Sequence, residues 1–413
     1  MKILLVARGS QGDVYPFLAM AKGFKECGHE VFIHLPKTFE KFAKELSNEG
    51  ISYSLQDDDI EARAGAKKIK MSDMLAWMST IITSQFEELL PLIERHDMFI
   101  VSNTEFAATS LAEYLKKPLI RTAFSPIIPS KKMMPPLTPL TKPFLFVTPS
   151  LLWKVIDIAT NKIAQKPINK WRAEHGLSTV KNYSHFSYSY TTNLMLYSPL
   201  IGSVDPNWAY PWHITSYCFY DRLPYEKPSL EKFLDFIRKD GRPTLFFTTG
   251  SIKGPAQSGF AVKLLAICKK HNYKFVFGAS WVKIGNEFEG QDDVFVLDSI
   301  IPHSLVFEHC TAIIHHGGSG TTHSATRSGK PQLVMPIIID QFYWAQQIRK
   351  AMLGPAGANS KKISNKALEA KVEDLMTNPV YAKNAAVMGE KLRAVNGVQQ
   401  TIDFVLKQCA SLI

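Results

Sequence analysis

The stretch that most limits what this chain can fold into is 312–341, AIIHHGGSGTTHSATRSGKPQLVMPIIIDQ. Residues 312–315 are a short apolar run suited to a buried parallel strand, and Gly317, Gly318, Ser319 and Gly320 punctuate it. A helix follows from Ser319 or Thr321 to Ser328, stopped by Gly329 and Pro331, and 332–338 reads as the next strand. Strand, glycine turn and helix in that order make an anion site. Glycines let the backbone approach closely, and the free N–H groups of a first helical turn face a phosphate. Thr321 and Thr322 add hydroxyls, while His315 and His316 stand at the strand's carboxyl end, where open α/β sheets bind ligands. Asp340 and Gln341 follow the next strand at the same edge. The pattern describes a diphosphate cradle with a polar pair one strand away.

The rest of the chain alternates strand and helix, which predicts an α/β class with doubly wound parallel sheets. Strands are expected at 2–7, 30–35, 51–55, 98–102, 118–124 and 193–198, with helices between them at 38–48, 71–94, 104–116 and 151–175. Pro16 opens a further helical pattern that Gly28 closes. Residues 199–242 are turn-rich and aromatic and read as a junction, after which strands recur at 244–249, 273–278 and 294–298. Helical stretches at 366–377, 380–394 and 398–411 end the chain. The expected organisation is one Rossmann-like unit at 1–200, an inter-domain segment at 201–242, a second Rossmann-like unit at 243–395 and a last helix at 396–413. A dinucleotide fingerprint at Gly9 fails, because the third glycine and an acidic residue after the second strand are both missing.

Composition removes several classes. No run approaches 18 apolar residues, and the opening run of Met1 to Ala7 is too short for a signal peptide, so a cytoplasmic protein is expected. Five scattered cysteines with no CxxC read as reduced thiols, and no metal site is expected. Of the net charge of +11, the stretch 116–181 holds +10, twelve Lys and Arg against Asp157 and Glu174. No nucleic-acid motif accompanies it, so no nucleic-acid partner is expected. Its proline-rich part sets Lys131, Lys132 and Lys142 among Met133, Met134, Phe144, Leu145 and Phe146. That mixture fits shallow docking on an anionic membrane, and equally a loop over a pocket whose lysines keep it soluble.

HHGGSGTT followed by DQ resembles the nucleotide-sugar signature of family 1 glycosyltransferases, above all the sterol and lipid glucosyltransferases and the glycopeptide and macrolide glycosyltransferases. GSQGDVYPFLAMAKG resembles the opening of the sterol-type enzymes, and YSPLIGSVDPNWAYPWHITSYCFYD their inter-domain segment. The resemblance implies the GT-B architecture, two Rossmann-like parallel-sheet domains facing a central cleft, with the last helix crossing back to the first domain. It implies a UDP-sugar donor, UDP-glucose foremost, and inverting transfer without a metal or other cofactor to a hydroxyl of a hydrophobic acceptor such as a sterol. His316, Gly318, Ser319, Gly320, Thr321 and Thr322 would hold the donor diphosphate, and Asp340 and Gln341 the sugar. PTLFFTTGS resembles the strand ending near the nucleotide, which adds Ser251, and VLDSIIPHSLVF resembles the loop that reads the base, which adds Ile300 and Ile301.

Asp13 carries two readings. Beside a proline-led helix it is a favoured N-cap. By resemblance it is the base that takes the acceptor proton, and the roles can coexist. Ser10 is a contact to donor or acceptor, or a turn hydroxyl, while His303, His309 and His323 read as surface or cap residues. Gln11 stands where relatives have Arg, and Phe342 where they have Pro. Acceptors of another kind (macrolide, glycopeptide, polyphenol), a UDP-sugar epimerase and a non-catalytic sugar-nucleotide-binding protein are the alternatives.

Overall fold

The computed structural model describes residues 1–56, 71–137, 139, 146–222, 225–250, 255–278, 288 and 290–410. Ser251, Lys142, Phe144 and Leu145, singled out above, lie outside these residues.

Two parallel sheets organise the chain. The first is assembled from β1 (Lys2–Val6), β2 (Glu30–Pro36), β3 (Ser52–Gln56), β4 (Met98–Ser102), β5 (Leu119–Ala123), β6 (Asn193–Met195) and β7 (Trp212–Ile214), in the order β3-β2-β1-β4-β5-β6-β7. Helices α1 (Gln11–Glu26), α2 (Glu40–Asn48), α3 (Met71–Glu94), α4 (Ala108–Leu115), α5 (Pro149–Glu174) and α6 (Tyr183–Tyr190) accompany it. After α7 (Lys227–Arg238), the second sheet is built from β8 (Thr244–Thr248), β9 (Lys274–Gly278), β10 (Val294–Leu297), β11 (Ala312–His315) and β12 (Gln332–Val334), in the order β10-β9-β8-β11-β12. Its helices are α8 (Pro255–Lys270), α9 (Ser319–Arg327), α10 (Gln341–Lys350), α11 (Asn365–Thr377) and α12 (Pro379–Arg393). The last helix, α13 (Gly397–Ala410), packs Ile402, Val405 and Cys409 into the core of the first sheet, against α1.

Near-continuous Val, Ile, Leu and Phe in β1, β4 and β8 put these strands at the sheet centres, buried on both faces. Strand order reverses beside β1 in the first sheet and beside β8 in the second. Ligands of doubly wound sheets sit outside the carboxyl ends of strands at such reversals. Those ends are Arg8–Asp13 for β1, Thr249-Gly250 for β8 and His316–Gly320 for β11.

Three elements depart from the sequence expectation. β12 stops at Val334 because Pro336 has no N–H to extend the ladder, and 335–340 becomes a loop. The segment 199–242, read as turns, contributes β7 to the first sheet and holds α7. Helix α1 starts at Gln11 rather than Pro16, with Ser10 as its N-cap, so Asp13 sits inside the first turn.

Pro16 therefore lies within α1, where its missing N–H leaves the Gly12 carbonyl without its usual helical partner. The Tyr217 hydroxyl donates to that carbonyl at 3.2 Å. Tyr217→Phe should lower stability by about 1–2 kcal/mol, the cost of leaving a buried carbonyl unpaired. In a Pro16→Ala background, where residue 16 regains its N–H, the same substitution should cost measurably less. Urea unfolding of the four proteins of this cycle checks the coupling, and equal costs in both backgrounds would refute it.

Candidate active site

On the second sheet, β11 delivers two histidines with different tasks. His315 is fully buried; its Nδ1 accepts from the Gly317 N–H at 3.1 Å, which leaves the proton on Nε2 to be donated to Gln332 Oε1 at 2.8 Å. Burial pushes its pKa down to about 4, so it is a neutral strut that shapes the glycine turn. His316 points the other way, between Gly250 and Gly318. A Cβ on Gly250 would lie 2.6 Å from its Cε1, and one on Gly318 would lie 2.5 Å from its Nε2, so only glycines admit the ring. Burial, with His315 and His303 beside it, lowers His316 to about 3. Its Nδ1 is buried without a hydrogen-bond partner among the described residues. His316 thus lines the cleft as a neutral, immobilised imidazole.

Helix α9 begins at the same place, with Gly318 as N-cap. The first intrahelical bond runs from the Thr322 N–H to the Gly318 carbonyl at 2.9 Å, so the N–H groups of the turn before it face the cleft. Gly318, Ser319, Gly320 and Thr321 line that cleft. Thr322 does not: its hydroxyl is spent on the Gly318 carbonyl at 2.9 Å, because a threonine four residues into a helix bonds back along it.

On the first sheet, β1 runs into Arg8, Gly9, Ser10 and Asp13. Asp13 Oδ2 accepts from the Ser10 N–H at 2.9 Å and from the Ser10 hydroxyl at 3.0 Å, the N-cap bond of a capping box. Burial raises the Asp13 pKa above the ordinary carboxylate value, against the pull of those two bonds. Gly9, at φ +122°, leaves room for the carboxylate, since a Cβ there would stand 2.5 Å from Oδ2. Arg8, which sequence reasoning passed over, is almost completely buried and bonds Glu105 at 2.6 Å and Glu88 at 3.3 Å. His34 joins Glu88 at 3.2 Å and Ser54 at 2.8 Å, so a charged network floors the β1 end of the cleft.

The two halves meet closely. A Cβ on Gly320 would lie 3.5 Å from Gly12 Cα and 2.6 Å from the Tyr217 hydroxyl, so the amino ends of α1 and α9 face each other across the cleft. The cleft encloses about 1320 Å³ and is walled by Ser10, Asp13, Ile300, Ile301, His316, Asp340 and Gln341, among others. Asp340 receives a bond from Trp344 Nε1 at 3.2 Å, and burial together with the charge of Asp13 raises its pKa to about 7. Gln341 uses its Oε1 to accept from the N–H groups of Ile337 and Ile338, at 2.8 and 3.0 Å, and so holds the 335–340 loop.

His323, read as a surface or cap residue, is fully buried at the joint between the halves. It donates from Nδ1 to the Ser319 carbonyl at 2.7 Å, accepts the Ser198 N–H at 3.0 Å and stacks on Tyr217. Nothing in its local sequence reveals this, because every partner but Ser319 is distant in the chain. Among the described residues no group of three or more His, Cys, Asp or Glu could hold a metal ion, and no helix is long and apolar enough to cross a membrane.

Known proteins are similar to this chain over both of its sheets. Residues 3–124 match the glycosyltransferase family 28 N-terminal domain, and 291–402 the C-terminal domain of erythromycin biosynthesis protein CIII-like proteins. A sterol 3-beta-glucosyltransferase of Arabidopsis thaliana is 25% identical over 98% of this chain and 67% of its own length. The glycosyltransferase GtfE of Amycolatopsis orientalis is 29% identical over 86% of each chain. The chain belongs to the glycosyltransferases of the GT-B fold. The solved structure of the glycosyltransferase VinC in complex with dTDP superimposes with a TM-score of 0.69, at 17% identity, over 98% of this chain and 99% of that one. This glycosyltransferase spans about two thirds of the length of the plant sterol enzymes it matches and about a third of the yeast ones.

The charged floor of the cleft is a stability element that can be tested apart from chemistry. Glu105→Ala leaves the buried Arg8 short of its shorter bond, and should cost about 3–5 kcal/mol. The midpoint of urea unfolding measures this; a shift of less than about 1 kcal/mol would mean the pair contributes little.

Proposed function

We propose that this glycosyltransferase moves a hexose, glucose from UDP-glucose, to a hydroxyl of a hydrophobic acceptor such as a sterol or another lipid, with inversion at the anomeric carbon. One observation carries the proposal: the carboxylate of Asp13 from one sheet and the His316–α9 anion site from the other open into a single cleft. The acceptor oxygen attacks the anomeric carbon as the bond from that carbon to the diphosphate breaks. Asp13 takes the hydroxyl proton, and the electron pair of the broken bond stays on the diphosphate. A raised pKa suits Asp13 to this, since a carboxylate at its ordinary value of about 4 is a weak base. Ser10 keeps the carboxylate oriented through its two bonds.

The diphosphate would be met by the N–H groups at the start of α9, whose dipole contributes about half a positive charge, and by a hydrogen bond from neutral His316. No metal or other cofactor enters the proposal. Ile300 and Ile301 would take the base, and Asp340, with the amide nitrogen of Gln341, the sugar hydroxyls; all four line the cleft. The named activity of the Arabidopsis relative supports a sterol-like acceptor. A soluble aglycone (macrolide, glycopeptide or polyphenol) is the second reading, supported by the match of residues 291–402 to the erythromycin biosynthesis protein CIII-like domain. VinC was captured with dTDP, which makes a thymidine diphosphate donor the comparison to test.

Thermal-shift titration with UDP, dTDP and their glucose conjugates separates the donors, since a ligand at a hundred times its Kd stabilises by about 2.7 kcal/mol. Asp13→Asn keeps the size of the side chain, and should fold normally while transfer falls at least a hundred-fold. His316→Ala should cut transfer by roughly 10²–10³. A folded Asp13→Asn protein with native rates would reduce Asp13 to the structural partner of the Ser10 cap.

Asp340 adds a pH signature. With its carboxyl held up to about 7, it is protonated below neutrality and loses capacity to accept from sugar hydroxyls. Affinity for UDP-glucose should therefore fall as pH drops from 8 to 5, by up to about ten-fold per unit below 7. Affinity for UDP alone should be far flatter, and Asp340→Asn should flatten the UDP-glucose profile too. Calorimetry with both ligands decides; parallel profiles for the two would contradict the assignment.

A further inference from the structure

Helix α5 presents an outward face unlike that of an ordinary solvated helix. It buries Trp153, Ala164, Ile168 and Arg172 toward the protein. On the opposite side Leu151, Val155 and Ile158 are 45%, 53% and 59% exposed, and Phe146 just before the helix is 89% exposed. The spacing of 151, 155 and 158 places the three aliphatic side chains along one stripe, which Lys162 continues. Lys154 and Lys166, both exposed, flank it.

The acids of this helix are taken elsewhere. Asp157 receives Asn161 and Asn182 at 3.0 and 2.9 Å, and Glu174 lies at the far end beside Lys170. The stripe is thus apolar along its middle and cationic at its margins, with no carboxylate facing out. Its place in the fold matters as well. Trp153 Nε1 donates to the Met133 carbonyl at 2.9 Å, tying the start of α5 to the segment that supplies Ser125, Ile127 and Leu137 to the first-sheet wall of the cleft.

We propose that this face of α5, with Phe146, Leu151, Val155 and Ile158 inserted and Lys154, Lys162 and Lys166 at headgroup level, docks the enzyme on an anionic lipid surface. Aliphatic side chains gain by leaving water, and lysines beside them gain from the negative surface potential. A second copy of the chain fits the stripe poorly, because a self-complementary contact would offer its three lysines no carboxylate from this face. Nucleic acid would satisfy the lysines but leave the aliphatic stripe in water. The inference does not depend on which acceptor the enzyme uses.

Sedimentation with vesicles tests it. The full chain should pellet with equimolar phosphatidylglycerol and phosphatidylcholine at about 0.05 M salt, and stay in solution with phosphatidylcholine alone or at about 0.5 M salt, where screening shortens to a few ångströms. Each of Lys154→Gln, Lys162→Gln and Lys166→Gln should weaken partitioning about five-fold, and the triple variant about a hundred-fold. Val155→Ser with Ile158→Ser should weaken it about ten-fold or more. These positions are exposed, so the thermal midpoint of each variant should match the parent. A chain that ignores anionic vesicles at low salt overturns the proposal, as do folded variants that pellet like the parent. A dimer in analytical ultracentrifugation that the serine pair dissociates, without vesicle binding, would assign the face to self-association instead.

Discussion

Two helices aim their amino ends at one another. Gly12 in the first turn of α1 and Gly320 in the first turn of α9 approach so closely that a Cβ on Gly320 would lie 3.5 Å from Gly12 Cα. Each helix start carries about half a positive charge, and two of them facing across the cleft repel. The chain relieves this on one side with Asp13, a carboxylate inside the first turn of α1. The other side keeps its charge unmatched, and so remains open to an anion. Tyr217 fills the gap between them, bonded to the Gly12 carbonyl and stacked on His323. The separation of the two halves, and hence the width of the site, depends on this contact.

Around that contact the buried polar groups are either paired or neutral. Arg8 is paired with Glu105 and Glu88, because an unpaired guanidinium at this depth would be too costly. The histidines take the opposite route. His315, His316 and His323 are all pushed down to about 3 or 4, so each acts as a neutral ring with one donor and one acceptor. In His315 and His323 both nitrogens are used within the protein, which makes them struts. His316 is no such strut: its Nδ1 has no partner among the described residues, and its ring lines the cleft. Adjacent residues of the same type thus divide into scaffold and site by hydrogen bonding alone.

Much of this was legible in the chain. The apolar runs, the glycine turn after β11 and the strand–helix alternation are local patterns, so sheet class, the strand–turn–helix at 312–327 and the position of Asp13 after β1 followed from residues next to each other. The helices 366–377, 380–394 and 398–411 correspond to α11, α12 and α13 within a residue or two. Local pattern misled where a partner far along the chain overrides it. Pro16 looked like a helix start, yet the helix begins at Gln11, because Ser10 caps it and a hydroxyl 201 residues later serves the carbonyl the proline abandons. Thr322 looked like a ligand contact, but its hydroxyl turned back to Gly318.

By itself the sequence determined the two-sheet class, the order of the elements and the glycine turn that opens α9, since these depend on period and turn chemistry within a few residues. Tertiary structure alone decided which groups share the cleft. Asp340 acquires a pKa of about 7 only because folding buries it and sets Asp13 nearby. Arg8, Glu88 and Glu105 become one network only when β1, α3 and the segment after β4 are packed together. Electrostatic coupling and desolvation depend on distance through space, and no pattern along the chain encodes the separation of residues 13 and 340.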